Sequence, residues 1–140
     1  MREFFDRHYK IIYYIAMAAI AFWIAYTKGW IFANFDSLSA NEALKLIKDK
    51  KVVVVDVRSK EEYERGHIKD AILIPYEDLE KNLDNIDKNK TVLIYSKTGR
   101  VGISASRLLS SKGYKVINVK SGILGLAIDG GKKYPFLFEK

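Results

Sequence analysis

A short charged stretch, Met1 to Lys10, is followed by a run from Ile11 to Tyr26 with no charged residue. Drawn as a helix, that run is apolar all round and lacks the polar face of a surface helix. At about 1.5 Å per residue it falls somewhat short of a hydrocarbon core of about 30 Å. Continuation through Lys28, Trp30, Ile31 and Phe32 supplies the missing length. Lys28 would snorkel to the headgroups, and Tyr13, Tyr14, Trp23, Tyr26 and Trp30 suit the interfaces. The pattern predicts a stub over residues 1–10 and one transmembrane helix over 11–35.

From Asp36 the pattern changes to short apolar runs alternating with amphipathic ones, predicting a folded domain over 36–140. Ser39 with Glu42 is a capping-box signature, and Ala43, Leu44, Leu46 and Ile47 give a short amphipathic helix. Val52 to Val57 is a near-continuous apolar run, the mark of a strand covered on both faces. Ser59 with Glu62 repeats the capping box over a helix from Lys60 to Arg65, which Gly66 stops. Ala71–Ile74 reads as a strand ended by Pro75, Tyr76–Leu83 as an acidic helical stretch, and Thr91–Tyr95 as a third strand. A helix over Gly102–Lys112, with Ile103, Leu108 and Leu109 facing inward, is closed by Gly113. Lys115–Val119 is a fourth strand, and Gly122 opens a last helical turn. The tail segment Tyr134–Phe138 is apolar enough to pack on the sheet or on a membrane surface. Strands alternating with helices predict an α/β fold with an open parallel sheet flanked by helices.

Charge adds an orientation. Arg2, Arg7 and Lys10 precede the apolar run and Lys28 closely follows it, so the positive-inside bias puts the N-terminus in the cytoplasm and the domain outside. A cleaved signal peptide is the rival reading, with Ser37-Leu38-Ser39-Ala40 as its cleavage-type stretch, but its apolar region is normally shorter, about 7–15 residues. The 24 basic and 17 acidic residues give a net charge of +7 on a mixed surface, without the aromatic-basic interleaving of single-strand nucleic-acid binders. No nucleic-acid partner is expected. The absence of cysteine removes disulfides, thiolate metal sites and cysteine nucleophiles together. His8 and His67 match no metal-ligand spacing, and neither a metal nor a cofactor is expected.

The candidate chemistry lies in the loop after the third strand, Ser96-Lys97-Thr98-Gly99-Arg100-Val101. A strand that enters a helix through a tight loop turns several backbone N–H groups towards one point, and the helix N-terminus adds partial positive charge there. Lys97 and Arg100 strengthen this anion cradle, Gly99 and Thr98 shape it, and Ser96 occupies the position of a nucleophile. Asp56 and Arg58, at the end of the first clear strand, read as loop-supporting, paired with each other or with Glu62. His67 reads as a turn residue that satisfies backbone groups.

The order of motifs resembles the rhodanese family of sulfurtransferase-like α/β domains, over roughly Leu38 to Phe136. Asp56-Val57-Arg58, with Glu62 and Tyr63 behind it, is similar to the family's Asp-x-Arg stretch and the short helix that follows. Gly66-His67-Ile68-Lys69-Asp70-Ala71 resembles its Gly-His-Ile-x-Gly-Ala motif, with Asp70 in place of glycine. Ser96–Val101 is similar to the active loop, which typically reads Cys-Arg-x-Gly-x-Arg. Lys120-Ser121-Gly122-Ile123-Leu124-Gly125 fits the closing Gly-Gly-Ile motif.

The resemblance implies a sulfurtransferase whose loop cysteine carries sulfur as a persulfide; Ser96 departs from it at that atom. A thiolate is accessible near neutral pH, whereas a serine hydroxyl stays protonated without an adjacent base, and oxygen forms no durable bond to the sulfur. Val101 replaces the residue that shapes substrate choice, and Lys97 replaces arginine, keeping charge but losing the planar fork. The Cys-x5-Arg pattern of cysteine phosphatases meets Ser96 and Gly102 here. The reading is therefore a membrane-anchored, rhodanese-like domain that lacks the persulfide-forming cysteine and serves as an anion-binding or partner-docking module. Its partners would be the membrane, a small oxyanion or sulfur anion, and a protein. The alternative is thiosulfate-type sulfur transfer, if Ser96 replaces a native cysteine.

Overall fold

A computed structural model describes residues 1–27 and 34–140, in two compact units, Met1–Phe32 and Ala33–Lys140. The first is the helix α1 (Arg2–Thr27). Its stretch Phe5–Thr27 has 23 residues, about 35 Å at the helical rise, and is long and apolar enough to cross a membrane. Ile12, Ile15, Ile20 and Trp23 lie exposed along it. The helix begins well before the uncharged run, so Arg7 and Lys10 of the expected stub belong to it. The continuation through Lys28 to Phe32 lies outside the described residues.

The second unit runs β1 (Asp36–Leu38), α2 (Ala40–Lys48), β2 (Val53–Asp56), α3 (Lys60–Arg65), β3 (His67–Ile68) and β4 (Ile72–Leu73). A 3-10 stretch over Tyr76–Asn85 leads to β5 (Val92–Tyr95), α4 (Arg100–Ser111), β6 (Val116–Val119) and α5 (Gly122–Gly130). A 3-10 turn at Pro135–Leu137 and β7 (Phe138–Glu139) close the chain. Five strands form one sheet in the order β1-β6-β5-β2-β4, every pair parallel. β3 and β7 form a separate antiparallel ribbon.

The apolar runs of β2 and β5 have no polar alternation because both faces of the sheet are covered. Leu93 and Tyr95 pack with Leu44, Ile123 and Leu126 of α2 and α5, while Val92 and Ile94 pack with Leu79, Ala105 and Leu109 on the other side. Both predicted capping boxes form, at Ser39/Glu42 and Ser59/Glu62. The hydrogen bonds from the Ser39 hydroxyl and N–H hold the Glu42 carboxyl below its usual range.

Several features differ from the sequence reading or decide what it left open. β1 was not expected; three residues are too few to show a period, and it is defined by pairing Asp36 and Leu38 with Ile117 and Val119 of β6. Asn34 and Phe35, within the range read as the span, lie in the second unit. The Asn34 carbonyl accepts the Ser110 hydroxyl at 2.6 Å, and Phe35 packs on the cluster beneath α4. α4 starts at Arg100 and buries Gly102, Ala105, Ser106 and Leu109, leaving Ile103 exposed and Leu108 half-buried; its inward face is a small-residue face. The tail packs on the domain, with Leu137 buried and Phe138 paired with Ile68.

Tyr95 ties the central strand to this ribbon. Its ring is fully buried, and its phenol oxygen accepts the Ile68 N–H at 3.1 Å. Burial, and next the charge of Asp56, push the phenol well above its ordinary range, so it remains a neutral hydroxyl. Tyr95→Phe leaves a buried N–H without its acceptor and is expected to cost about 1–3 kcal/mol. Urea unfolding of the full chain in mild detergent measures it; an unchanged midpoint would show that this bond carries no weight.

Candidate functional site

Ser96 leaves the C-terminal end of β5, the middle strand of the sheet, and is 2% exposed. Its hydroxyl oxygen accepts the Gly99 N–H at 2.9 Å. Its carbonyl accepts the Ile123 N–H at 2.8 Å, and the Lys97 carbonyl accepts the Leu124 N–H at 3.4 Å. The loop after β5 is thus clasped, backbone to backbone, by the first turn of α5.

Two glycines make that approach possible. Gly99 has φ +95° and a Cβ there would collide with the Lys120 carbonyl oxygen; Gly122 has φ +59° and a Cβ there would collide with the carbonyls of Ser96 and Lys97. Gly99 also opens α4, whose first turn has no side-chain cap and no acidic residue. The N–H groups of that turn have no carbonyl partner within the helix, so this end stays electropositive.

Asp56, which ends β2, pairs with Arg58 beside the cleft that Ser96 lines. The guanidinium meets the carboxylate through Nη2 at 2.7 Å and Nε at 3.0 and 3.1 Å, and the Arg58 N–H adds a bond at 2.9 Å. Nη2 also donates to the Gly66 carbonyl at 2.7 Å, and the guanidinium stands 5.4 Å from the Tyr95 ring centre. Burial disfavours charge on Arg58, but the bonds and charge of Asp56 override it and raise its pKa. The expected pairing of Asp56 with Arg58 therefore forms, while Glu62 spends its carboxylate on Ser59.

A cleft of about 250 Å³ opens beside Ser96, lined also by Arg58, Glu62, Tyr76, Glu77, Lys97 and Val101. A second, of about 280 Å³, shares Arg58, Glu62 and Lys97 and adds Arg65, Ile123 and Leu124. Of the loop residues, Ser96, Lys97 and Val101 line these clefts; Thr98, Gly99 and Arg100 do not. Arg100 is exposed at the first position of α4. Sequence reasoning assigned no site role to Tyr76 and Glu77, neighbours in the 3-10 stretch, or to Leu124, which lies in the closing motif on α5. It missed Asn118 as well: this residue of β6 is buried under Gly102, and its Oδ1, like the buried Ser106 hydroxyl, has no hydrogen-bond partner among the described residues.

Chemically, the site offers an anion the first turn of α4 and the ammonium of Lys97. Among the described residues no base is hydrogen-bonded to the Ser96 hydroxyl, and the histidine of the motif is engaged elsewhere. Nδ1–H of His67 donates to the Tyr63 carbonyl at 2.9 Å, Nε2 faces Glu139 at 3.6 Å, and the ring stacks on Tyr63. His67 is the structural residue its motif suggested. The buried pair yields a sharp expectation: Arg58→Met leaves Asp56 buried without its counter-charge and should cost about 3–5 kcal/mol, whereas Asp56→Leu with Arg58→Met together should cost less. Urea midpoints of the two variants decide it; equal losses would mean that the pair's charge balance is irrelevant.

Residues 39–128 match the rhodanese-like domain family. Thiosulfate sulfurtransferase GlpE of Coxiella burnetii is 31% identical over 83 residues, 59% of this chain and 78% of that protein. YrkF of Bacillus subtilis is 35% identical over 80 residues, 56% of this chain but 43% of that protein, so the match spans less than half of its length. The crystal structure of a rhodanese-related protein from Thermoplasma volcanium superposes with a TM-score of 0.65 at 26% identity, covering 69% of this chain and 94% of that one. The match covers well over half of the chain and the sheet superposes, and this chain belongs to the rhodanese-like domain family.

Proposed function

We propose that this is a membrane-anchored rhodanese-like module that binds a small oxyanion or sulfur anion at Ser96–Val101 without transferring sulfur. Docking of a partner protein at the same mouth, where Val101 and Leu124 are exposed, is the companion role. The observation that carries the reading is the open N-terminus of α4. Two other helices of the domain, α2 and α3, are closed by capping boxes, yet α4 has no side-chain cap. Lys97 and Arg100 flank that end, and neither forms a salt bridge among the described residues.

The absence of turnover follows from the atom at position 96. Sulfur transfer in this geometry needs a nucleophile that attacks a sulfane sulfur and then holds it. The Ser96 hydroxyl has a donor aimed at it, the Gly99 N–H, and no base hydrogen-bonded to it among the described residues. The second reading is thiosulfate-type sulfur transfer, favoured by the name of the Coxiella relative; it requires a cysteine at position 96 in the native gene. The anchor reading rests on the length and apolarity of Phe5–Thr27. By the positive-inside bias the N-terminus faces the cytoplasm and the domain lies outside.

Calorimetric titration of the full chain, held in phosphatidylcholine nanodiscs, tests the site. Thiosulfate and sulfate should bind saturably at low ionic strength and more weakly as salt rises. Joint Lys97→Ala and Arg100→Ala should weaken binding about fivefold. A titration without saturation at low ionic strength contradicts anion binding and leaves docking. For the anchor, the full chain should stay in the membrane pellet after carbonate extraction; release to the supernatant would contradict a spanning helix.

A further inference from the structure

The largest cleft described in the domain lies away from Ser96. Its volume is about 500 Å³, within the range of small-molecule sites, and it shares no lining residue with the two clefts of the loop. It opens around Val52 and Val53, at the start of β2, whereas the loop clefts gather at the strand's other end, by Val57 and Arg58.

Its walls combine two chemistries. Ile47 and Leu137 are buried and form an apolar floor, and Phe136, 60% exposed, stands beside it. Lys48, Lys50 and Lys69 line the rim against one acid, Asp70. None of these four charged residues forms a salt bridge among the described residues. Three flexible ammonium groups around an apolar floor suit an anionic head on an apolar body, because each lysine can follow the head while its stem covers the floor.

A second observation singles out the same place. Among the described residues, two that are not glycine have positive φ, Lys50 at 53° and Asp70 at 62°, and both line this cleft. Lys50 is the left-handed residue that ends α2, with the Lys51 N–H returning to the Leu46 carbonyl at 3.1 Å, so the turn that closes the helix also sets this lysine on the rim. Asp70 stands where the family motif has glycine, so the backbone shape is kept while a charge is added to the rim.

We propose that this cleft is a second binding site, for an anionic amphiphile with a phosphate-type head and a short apolar body. The ammonium groups of Lys48, Lys50 and Lys69 take the head, and Ile47, Phe136 and Leu137 take the body. Such a head is carried both by acidic membrane lipids and by free alkyl phosphates.

Calorimetry on the full chain in phosphatidylcholine nanodiscs, with hexyl phosphate and inorganic phosphate as probes, tests the site. Hexyl phosphate should bind at least about tenfold more tightly than phosphate, reflecting burial of its methylenes. The triple variant Lys48→Gln, Lys50→Gln, Lys69→Gln should lose about tenfold or more for hexyl phosphate. Phe136→Ser should weaken hexyl phosphate and leave phosphate unchanged. Equal binding of the two probes, no saturable heat, or undiminished binding by the triple variant would overturn the proposal. Native mass spectrometry of the unaltered chain released from phosphatidylglycerol nanodiscs identifies the source. Lipid retained by the unaltered chain and lost from the triple variant assigns the site to membrane headgroups. No retained lipid, with hexyl phosphate still bound, assigns it to a free amphiphile.

Discussion

The site depends on two loops that touch through their backbones. The Ser96 carbonyl accepts the Ile123 N–H at 2.8 Å, and the glycines at 99 and 122 remove the side chains that would hold the loops apart. Parallel strands make this possible, because β5 and β6 end at the same edge of the sheet and release both loops there. The clasp fixes where α4 begins, and so aims its first-turn N–H groups. Asp56 and Arg58 then close the side towards β2, their mutual neutralisation keeping a carboxylate buried beside the neutral Tyr95.

What this scaffold does not supply is a thiol. A cysteine thiol at position 96 would lie at the amino end of α4 with an N–H directed at its sulfur, conditions that favour the thiolate. A hydroxyl in the same place is far too weak an acid to respond similarly, while its oxygen still accepts the Gly99 N–H. On the proposed reading fold and reaction separate at this one atom, since membership of a family named for an activity does not by itself carry that activity.

The sequence made legible whatever rests on neighbours in the chain. The capping boxes at Ser39 and Ser59, the buried strands at Val53–Asp56 and Val92–Tyr95, and the Asp56–Arg58 pair each need only a few adjacent residues. The clefts were not legible, because Tyr76, Glu77 and Leu124 come from segments far apart in the chain. The β3–β7 ribbon was hidden too, since two residues show no period and its partner strand is near the C-terminus. Ile103 misled for a simpler reason: it does not share the helical face of Gly102, Ala105 and Leu109, whose three- and four-residue spacing sets the buried side of α4. Asp70 is the most instructive case. As a departure from glycine it looks damaging, but aspartate tolerates the left-handed backbone that its φ of 62° records.

On the proposed reading the pocket is assembled but lacks its sulfur atom. Thiosulfate:cyanide sulfur transfer, measured on the full chain in nanodiscs beside Ser96→Cys, separates the alternatives. The parent should be silent and the variant active. Turnover by the parent would overturn the reading, because a serine hydroxyl would then be carrying a step that needs a thiolate.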